Sequence, residues 1–323
     1  MISREFALKL AELYFKIRYL EKRISAEYTR GEIRCPTHLS LGQELFPSIL
    51  GCLMRQEDLA ISTHRGHAHY IAKQGSVYAL VAELYGRSTG CSRGRGGSMH
   101  LVDKKQNFLG TTAIVGNSIP IGVGSAAAIK AHENNKEELS FIFFGDGAVE
   151  EGVFAESLNI AVLQELPAIF ICENNSYSVY THIKNRQPSI RKIHEWAKSF
   201  GVRSELLDLN NVKEAVENTD SLIHWARETR KPLFIEVATW REVEHCGPLN
   251  DDHLSYRSKT ELAFWSLKNQ EETIEDLVLS MGISIEILSE IKDKILSDIE
   301  YIFERVKLDP YEKTSDVFAG IYA

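Results

Sequence analysis

The sequence lacks the marks of a membrane-embedded, secreted or nucleic-acid-binding protein. No run of residues approaches the roughly 18–20 consecutive apolar residues that span a bilayer. The first residues contain neither a signal-peptide core with a small-residue cleavage site nor an Arg- and Ser-rich transit segment. The formal net charge of -8 at pH 7 is unfavourable for a broad basic face that contacts phosphate backbones. We therefore expect neither a membrane nor a nucleic acid as a partner.

Cysteines are few and scattered. Their number, five, is odd, and no two of them form a CxxC pair. They are Cys35, Cys52, Cys91, Cys172 and Cys246. This distribution is unlike a disulfide framework or a zinc site and is typical of reduced thiols, which predicts a cytoplasmic protein.

Internal repeats, low-complexity tracts and a GxGxxG motif directly after a first strand are also absent. The missing motif argues against a nicotinamide-binding Rossmann domain. The composition is that of a globular protein, since 44% of the 323 residues are hydrophobic. A chain of this length forms one large α/β domain with extensions or two modest domains.

The first third of the chain has helical character. Apolar residues near helical spacing predict a long amphipathic helix over residues 5–30, with Gly31 as its stop. Further helices are predicted over 42–53 and 77–85. Between residues 86 and 97, five glycines and three arginines indicate an irregular, cation-bearing loop.

The middle of the chain has the pattern of a buried parallel sheet. Short, nearly continuous apolar runs occupy residues 139–144, 167–172 and 233–240. Such runs, separated by helical segments, are typical of strands that are buried on both faces. The glycine- and alanine-rich segment 116–129 predicts a helix that packs closely against the sheet. We therefore predict an α/β fold of three layers, a parallel sheet flanked by helices.

The end of the chain differs in composition from the predicted sheet. From Lys259 the sequence is rich in Glu, Lys, Leu and Ile with a helical period. We therefore predict one domain over residues 1–258, which includes the N-terminal helix, and a helical C-terminal tail over 259–323 packed on it.

Polar motifs follow two of the predicted strands. Gly145-Asp146-Gly147-Ala148 ends the first, and the segment 173–177, Glu-Asn-Asn-Ser-Tyr, ends the second. The 26 residues between Gly147 and Asn174 suit a helix and a strand, so a βαβ crossover brings the two strand ends together. One carboxylate, one carboxamide and backbone carbonyls then converge, a ligand set that suits magnesium or calcium with diphosphate oxygens. A helix starting at Ala148 would offer the phosphates its positive end.

These two motifs, with their spacing, resemble the thiamine-diphosphate motif. The chain is similar to the alpha subunits of the 2-oxo acid dehydrogenases, as in pyruvate dehydrogenase, and of acetoin dehydrogenase. The likeness runs from about Tyr14 to Trp265. It includes the phrases STHRGHAHYIAKQG, GRGGSMHL, NFLGTTAIVGNSIPIGVG, GDGAVEEGVFAESLNIAV and FICENNSYSV. The resemblance implies a thiamine-diphosphate-binding fold of the diphosphate-binding type, with thiamine diphosphate and Mg2+ as cofactors.

The resemblance also implies roles for individual residues. Asp146 and Asn175 would bind Mg2+ through their side chains, and Tyr177 through its carbonyl. Residues that would contact the cofactor are His64, Arg65, Ala113, Val115, Asp146, Gly147, Ala148, Asn175 and Arg241. His38 and His245 match positions near the reacting end of the cofactor, where proton transfer is their expected work.

Four positions depart from the family's pattern. His64 stands where many members have a tyrosine, so its contribution is expected to depend on pH. Ala113 often is glycine in relatives, a change that a backbone contact should tolerate. In the loop 243–252, Val243 replaces a histidine, and Cys246 replaces the serine that animals phosphorylate, which excludes that regulation here.

The chain lacks the second domain that supplies the activating glutamate in this superfamily. After the predicted diphosphate-binding domain come about 65 residues, too few for another α/β domain. A separate beta chain is therefore expected, in an α2β2 assembly. The expected reaction is the decarboxylation or cleavage of a 2-oxo acid or acetoin-like substrate, with acyl transfer to a lipoyl acyltransferase component. The alternatives are a transketolase-like ligase or lyase acting on a specialised or sugar-derived substrate, and a paralogue that binds the cofactor without turnover.

Overall fold

A six-stranded parallel sheet forms the middle of the protein. The computed structural model describes residues 2–132, 137–313 and 318–319. The strands in these ranges are β1 (Leu59–Thr63), β2 (Phe108–Thr112), β3 (Ser140–Gly145), β4 (Ala168–Asn174), β5 (Tyr177–Ser178), β6 (Thr181–His182), β7 (Arg203–Leu207) and β8 (Leu233–Ala238). The sheet has the order β2-β1-β3-β4-β8-β7, and β5 and β6 form a separate antiparallel hairpin.

Helices cover both faces of the sheet. They are α1 (Arg4–Tyr28), α2 (Leu45–Leu53), α3 (His67–Ala72), α4 (Val77–Leu84), α5 (Ser118–Ala131), α6 (Gly152–Leu163), α7 (Ile193–Lys198), α8 (Val212–Thr229), α9 (Lys259–Ser266), α10 (Gln270–Ser280) and α11 (Ile285–Val306). None of the helices within the described ranges has the length and apolar content needed to cross a bilayer.

Successive side chains of the central strands point to opposite faces of the sheet and pack in two separate cores. Phe141 and Phe143 of β3 belong to the core that α1, α2 and α8 cover, whereas Ile142 and Phe144 belong to the core under α5 and α6. All four side chains are at most 2% exposed. Burial on both faces explains why this strand has no polar position before Gly145 except its first residue. The predicted three-layer α/β fold is confirmed.

The C-terminal helices extend the first core. Ile274 of α10 and Leu288 and Phe303 of α11 are fully buried and pack in the same cluster as α1. Helix α9, by contrast, contributes no buried residue. The domain boundary at residue 258 remains a prediction, and residues 314–317 and 320–323 of the predicted tail lie outside the described residues.

Two predicted helix starts are wrong. The helix expected over 42–53 begins at Leu45, because Gly42 has a left-handed backbone (φ +89°) and the chain turns there. The helix expected from Ala148 is preceded by a short 3-10 turn over Asp146–Glu150, and α6 begins only at Gly152. Glu151 between them is extended, with ψ 136°, which separates the two elements.

The register of the sheet aligns the ends of β3 and β4. Gly145 lies opposite Glu173, so the residues that follow each strand emerge side by side. In parallel α/β sheets this carboxyl edge is where ligands bind.

Candidate active site

A cavity of about 120 Å³ lies at the carboxyl edge of β3 and β4. Nine of the predicted site residues line it: His64, Arg65, Val115, Asp146, Gly147, Ala148, Asn175, Tyr177 and His245. The cavity thus brings together both predicted strand-end motifs and two of the predicted histidines.

Asp146 places a buried carboxylate in the cavity wall. The side chain follows β3 directly and is only 1% exposed. Its Oδ2 accepts a hydrogen bond from Nη2 of Arg186, whose Nη1 bonds Glu150. Burial nevertheless raises the pKa of Asp146, an effect that outweighs the opposing charge of Arg186. An additional cation beside Asp146 would therefore stabilise its ionised form.

Asn175 is oriented by hydrogen bonds on both sides of its amide. Its Nδ2 donates to Oε1 of Gln43 at 3.0 Å, and its Oδ1 accepts from the backbone N–H of Tyr177, also at 3.0 Å. The neighbouring Asn174 closes the same turn, because its Oδ1 accepts from the N–H of Ser176 at 2.9 Å. The turn after β4 thus presents an amide oxygen and backbone carbonyls next to β3.

Arg65 is a buried cation whose hydrogen bonds go to backbone carbonyls. It is 7% exposed and donates to the carbonyl oxygens of Leu39 and, at 3.1 Å, of His245. Burial lowers the pKa of Arg65 to about 9, and the charge of Arg241 contributes further. Within the described part of the chain no carboxylate forms an ion pair with Arg65, so an anion in the cavity would supply the missing charge.

Gly147 leaves room for a ligand to approach the backbone. A Cβ atom at this position would lie 3.1 Å from Oγ of Ser178 and 3.7 Å from Nη1 of Arg186. A side chain would therefore intrude on the wall of the cavity. Because α6 begins only at Gly152, the positive end of that helix is farther from Gly147 than predicted.

Three histidines meet at one side of the cavity. The ring centroid of His38 is 4.6 Å from that of His64 and 4.9 Å from that of His245. Burial lowers the pKa of His38 to about 2, that of His64 to about 4 and that of His245 to about 3. Positive neighbours act in the same direction: Arg65 has the larger effect on His64 and His245, and His64 the larger effect on His38. All three imidazoles are thus neutral at pH 7. The pH at which His64 would change its protonation state lies below the physiological range.

Three predicted site residues are not among the described residues that line the cavity. His38 contacts the rings of His64 and His245, with centroid distances of 4.6 and 4.9 Å. Ala113 is half-buried in the turn after β2. Arg241 is 3% exposed and bonds the Tyr256 hydroxyl at 2.6 Å, so it holds the chain after β8 in place.

Sequence reasoning missed several residues of the cavity wall. His69 and Glu173 are neighbours in the lining, with Nε2 and Oε1 3.2 Å apart, and His69 stacks on Phe143. Gln43 orients Asn175, and Arg186 holds Asp146. Glu173 lies two residues before Asn175 and His69 lies four residues after Arg65, inside motifs already identified, and this proximity was the available signal. Arg186 had no such signal.

Comparisons with known proteins point to one family. The model of the dehydrogenase E1 component family matches residues 14–315. The pyruvate dehydrogenase E1 component subunit alpha of Rickettsia bellii is 33% identical over 307 residues, which cover 95% of this chain and 92% of that protein.

Related proteins come from bacteria and from eukaryotic organelles. The corresponding subunit of Rickettsia typhi is 34% identical over 307 residues, or 95% of this chain and 92% of that protein. The somatic, mitochondrial form of the same subunit from Rattus norvegicus is 32% identical over 327 residues, covering 100% of this chain and 81% of that protein.

Proposed function

This chain belongs to the dehydrogenase E1 component family, and on that premise we propose that it is the alpha subunit of a thiamine-diphosphate-dependent 2-oxo acid dehydrogenase of the pyruvate type. The observation that carries the proposal is the cavity at the carboxyl edge of β3 and β4. Its lining includes a buried arginine that pairs with no carboxylate among the described residues, a buried aspartate and an oriented asparagine.

Arg65 and the backbone at Gly147 and Ala148 would hold the diphosphate. A buried guanidinium whose hydrogen bonds go to carbonyls is well suited to an oxyanion, because it offers planar paired donors and gains a counter-charge. Val115 and the nearby Ala113 would contact the aminopyrimidine ring through their backbones. His64 has a neutral imidazole and would donate one hydrogen bond to the phosphates.

Asp146, Asn175 and the carbonyl of Tyr177 would bind Mg2+. The set offers oxygen ligands with a single negative charge, and phosphate oxygens and water would complete an octahedron. Arg186 bonds Oδ2 of Asp146, so Oδ1 is the oxygen left for the metal. If Mg2+ displaces Arg186, its guanidinium keeps its second bond, to Glu150.

Thiamine diphosphate, when bound, supplies the carbon that attacks the carbonyl of a 2-oxo acid and takes up the electrons released on decarboxylation. His38 and His245 would donate and accept protons near that carbon. Because both are neutral at pH 7, each has one N–H donor and one bare nitrogen. We assign Arg241 a supporting role, since it fixes the segment that carries His245.

A beta subunit would complete the site. Large apolar side chains are exposed at the cavity, in the turn that carries one of its lining residues, Val115. Ile114 is 66% exposed and Val115 is 47% exposed. A partner that covers them and contributes the activating glutamate fits an α2β2 assembly. The cytoplasm remains the proposed location, based on five unpaired cysteines.

The proposed acyl acceptor is a lipoyl acyltransferase component. The segment after β8 favours substrates other than pyruvate, because Val243 is a buried aliphatic residue where relatives have a histidine. With one fewer proton donor beside the cofactor, the enzyme could act on acetoin or, without a lipoyl acceptor, ligate or cleave a sugar-derived substrate.

The proposal is tested with the alpha chain, the beta chain and the co-expressed pair. Reduction of a dye is followed with pyruvate, thiamine diphosphate and Mg2+, and then with other 2-oxo acids, acetoin and sugar-derived ketols. We expect turnover only from the pair, and loss of that turnover in Asp146→Ala. Asp220→Ala, an exposed aspartate on α8, is the matched control. Full turnover by the alpha chain alone, or by the Asp146→Ala pair, would overturn the proposal.

A further inference from the structure

Three histidines from distant parts of the chain converge beside the cavity. His38 precedes α2, His64 follows β1, and His245 follows β8. One ring nitrogen of each lies within 4.8 Å of the corresponding nitrogens of the other two. This cluster contains no carboxylate and no thiol, so its donor atoms are imidazole nitrogens alone.

The cluster also has an unsatisfied atom. Nδ1 of His38 is buried and has no hydrogen-bond partner among the described residues, and the whole side chain is only 6% exposed. A buried polar atom without a partner is unfavourable, so a ligand that engages this imidazole is favoured. Neutral imidazole nitrogens are common metal ligands.

We propose that His38, His64 and His245 form a binding site for one divalent transition-metal ion, such as Zn2+, distinct from the proposed Mg2+ site. Three histidines with a fourth position open to water are a common zinc ligand set. Zn–N bonds of about 2.0–2.1 Å place tetrahedral ligands about 3.3 Å apart. The nitrogens, now up to 4.8 Å apart, must therefore approach one another by about 1.5 Å at most.

The chemistry of the cluster selects the metal. Imidazole ligands suit Zn2+, Co2+, Ni2+ and Cu2+, whereas Mg2+ and Ca2+ require oxygen ligands. The positive charge of Arg65, which lies close enough to lower the pKa of both His64 and His245, disfavours any cation held by charge alone. Only an ion with a strong covalent preference for nitrogen overcomes that repulsion.

Metal binding would remove the free nitrogens that proton transfer needs. The ion would therefore act as an inhibitor of the enzyme, a consequence that rests on the proposed function of His38 and His245. The binding site itself does not depend on that function, because it requires neither thiamine diphosphate nor a beta subunit.

Cobalt provides a direct test on the full-length chain without cofactor. Co2+ is added as the chloride, and its visible d–d absorption and its binding heat are recorded. We expect one Co2+ per chain, displaced by an equivalent of Zn2+. His38→Ala, His64→Tyr and His245→Ala are each expected to weaken binding by more than about 100-fold, because losing a residue that merely orients a metal ligand already costs 10–100-fold.

Two matched variants control for binding elsewhere. His224→Ala removes an exposed histidine that pairs with Glu228 at 3.0 Å on α8, and Cys246→Ser removes the exposed thiol beside His245. Both should bind Co2+ as the unaltered chain does. Thermal unfolding shows which variants are folded. Only the Co2+ affinities of folded variants are compared with that of the unaltered chain. No stoichiometric binding, or binding that survives in folded variants of the cluster, would overturn the proposal.

Discussion

Replacing Arg65 by methionine is expected to weaken thiamine diphosphate binding to the αβ pair by about 30-fold or more. Removing one partner of a buried, hydrogen-bonded charge pair costs about 2–5 kcal/mol. The measurement is a calorimetric titration of the pair with thiamine diphosphate at saturating Mg2+.

The same substitution should leave the stability of the free chain unchanged or raise it. Arg65 is a buried cation whose pKa burial lowers to about 9, which means that the folded chain holds the charged form at a cost. Methionine fills a similar volume without a charge. The free energy of unfolding of Arg65→Met in urea should therefore not fall by more than about 1 kcal/mol, the typical net worth of a hydrogen bond.

Arg227→Met is the matched control. Arg227 is also largely buried, but it donates to both oxygens of Asp58, whose side chain is completely buried. Its removal leaves a buried carboxylate that keeps hydrogen bonds from the backbone N–H groups of Arg55 and Leu139 but has lost its counter-charge. This loss should lower the free energy of unfolding by about 3–5 kcal/mol. If Arg65→Met destabilised the free chain as much as Arg227→Met, Arg65 would be a structural residue rather than a ligand for an anion.

Replacing Glu83 by alanine is expected to lower the free energy of unfolding by at least about 3 kcal/mol. Glu83 is 1% exposed, and its carboxylate accepts hydrogen bonds from a series of backbone N–H groups in the glycine- and arginine-rich loop. The donors are Ser92 and Gly94 at 2.8 Å to Oε2, and Gly96 at 2.6 Å and Gly97 at 3.1 Å to Oε1. Each hydrogen bond to a charged group contributes about 1.5–3 kcal/mol, so the loss of several is large.

The loop that Glu83 organises continues into the active site. Directly after it, Oγ of Ser98 lies 2.8 Å from Nε2 of His67, and Nδ1 of His67 lies 3.0 Å from Glu21. Ser98 also accepts from the backbone N–H of His38, at 3.4 Å. Urea denaturation of Glu83→Ala measures the effect. Glu83→Gln is the control, because it keeps one acceptor oxygen and should lose about half as much. A loss below about 1 kcal/mol for Glu83→Ala would show that the loop is held by other contacts.

The sequence predicted the parts of the fold that local pattern determines. The strands β3, β4 and β8 are continuous apolar runs because both faces of each are buried. The polar residues that follow β3 and β4 had to meet, since parallel neighbours end at the same edge. Strands β1, β2 and β7 were not predicted. β2 and β7 lie at the edges of the sheet and have several half-exposed residues, and β1 is only five residues long.

Contacts between distant segments were beyond sequence reasoning. Arg186 reaches Asp146 across 40 residues, and no local pattern marks it as the partner of that carboxylate. The histidine cluster joins residues 38, 64 and 245, whose proximity depends on how three connections cross the end of the sheet. The helix expected at Ala148 failed for a local reason instead, since the extended Glu151 interrupts it.

The most direct test is a crystal structure of the αβ pair with thiamine diphosphate and Mn2+ in place of Mg2+. Anomalous scattering locates the metal without any assumption about its ligands. We expect one peak within about 2.0–2.6 Å of a carboxylate oxygen of Asp146 and of Oδ1 of Asn175, with the diphosphate on Arg65. A metal bound away from both residues, or a diphosphate that does not touch Arg65, would contradict the account.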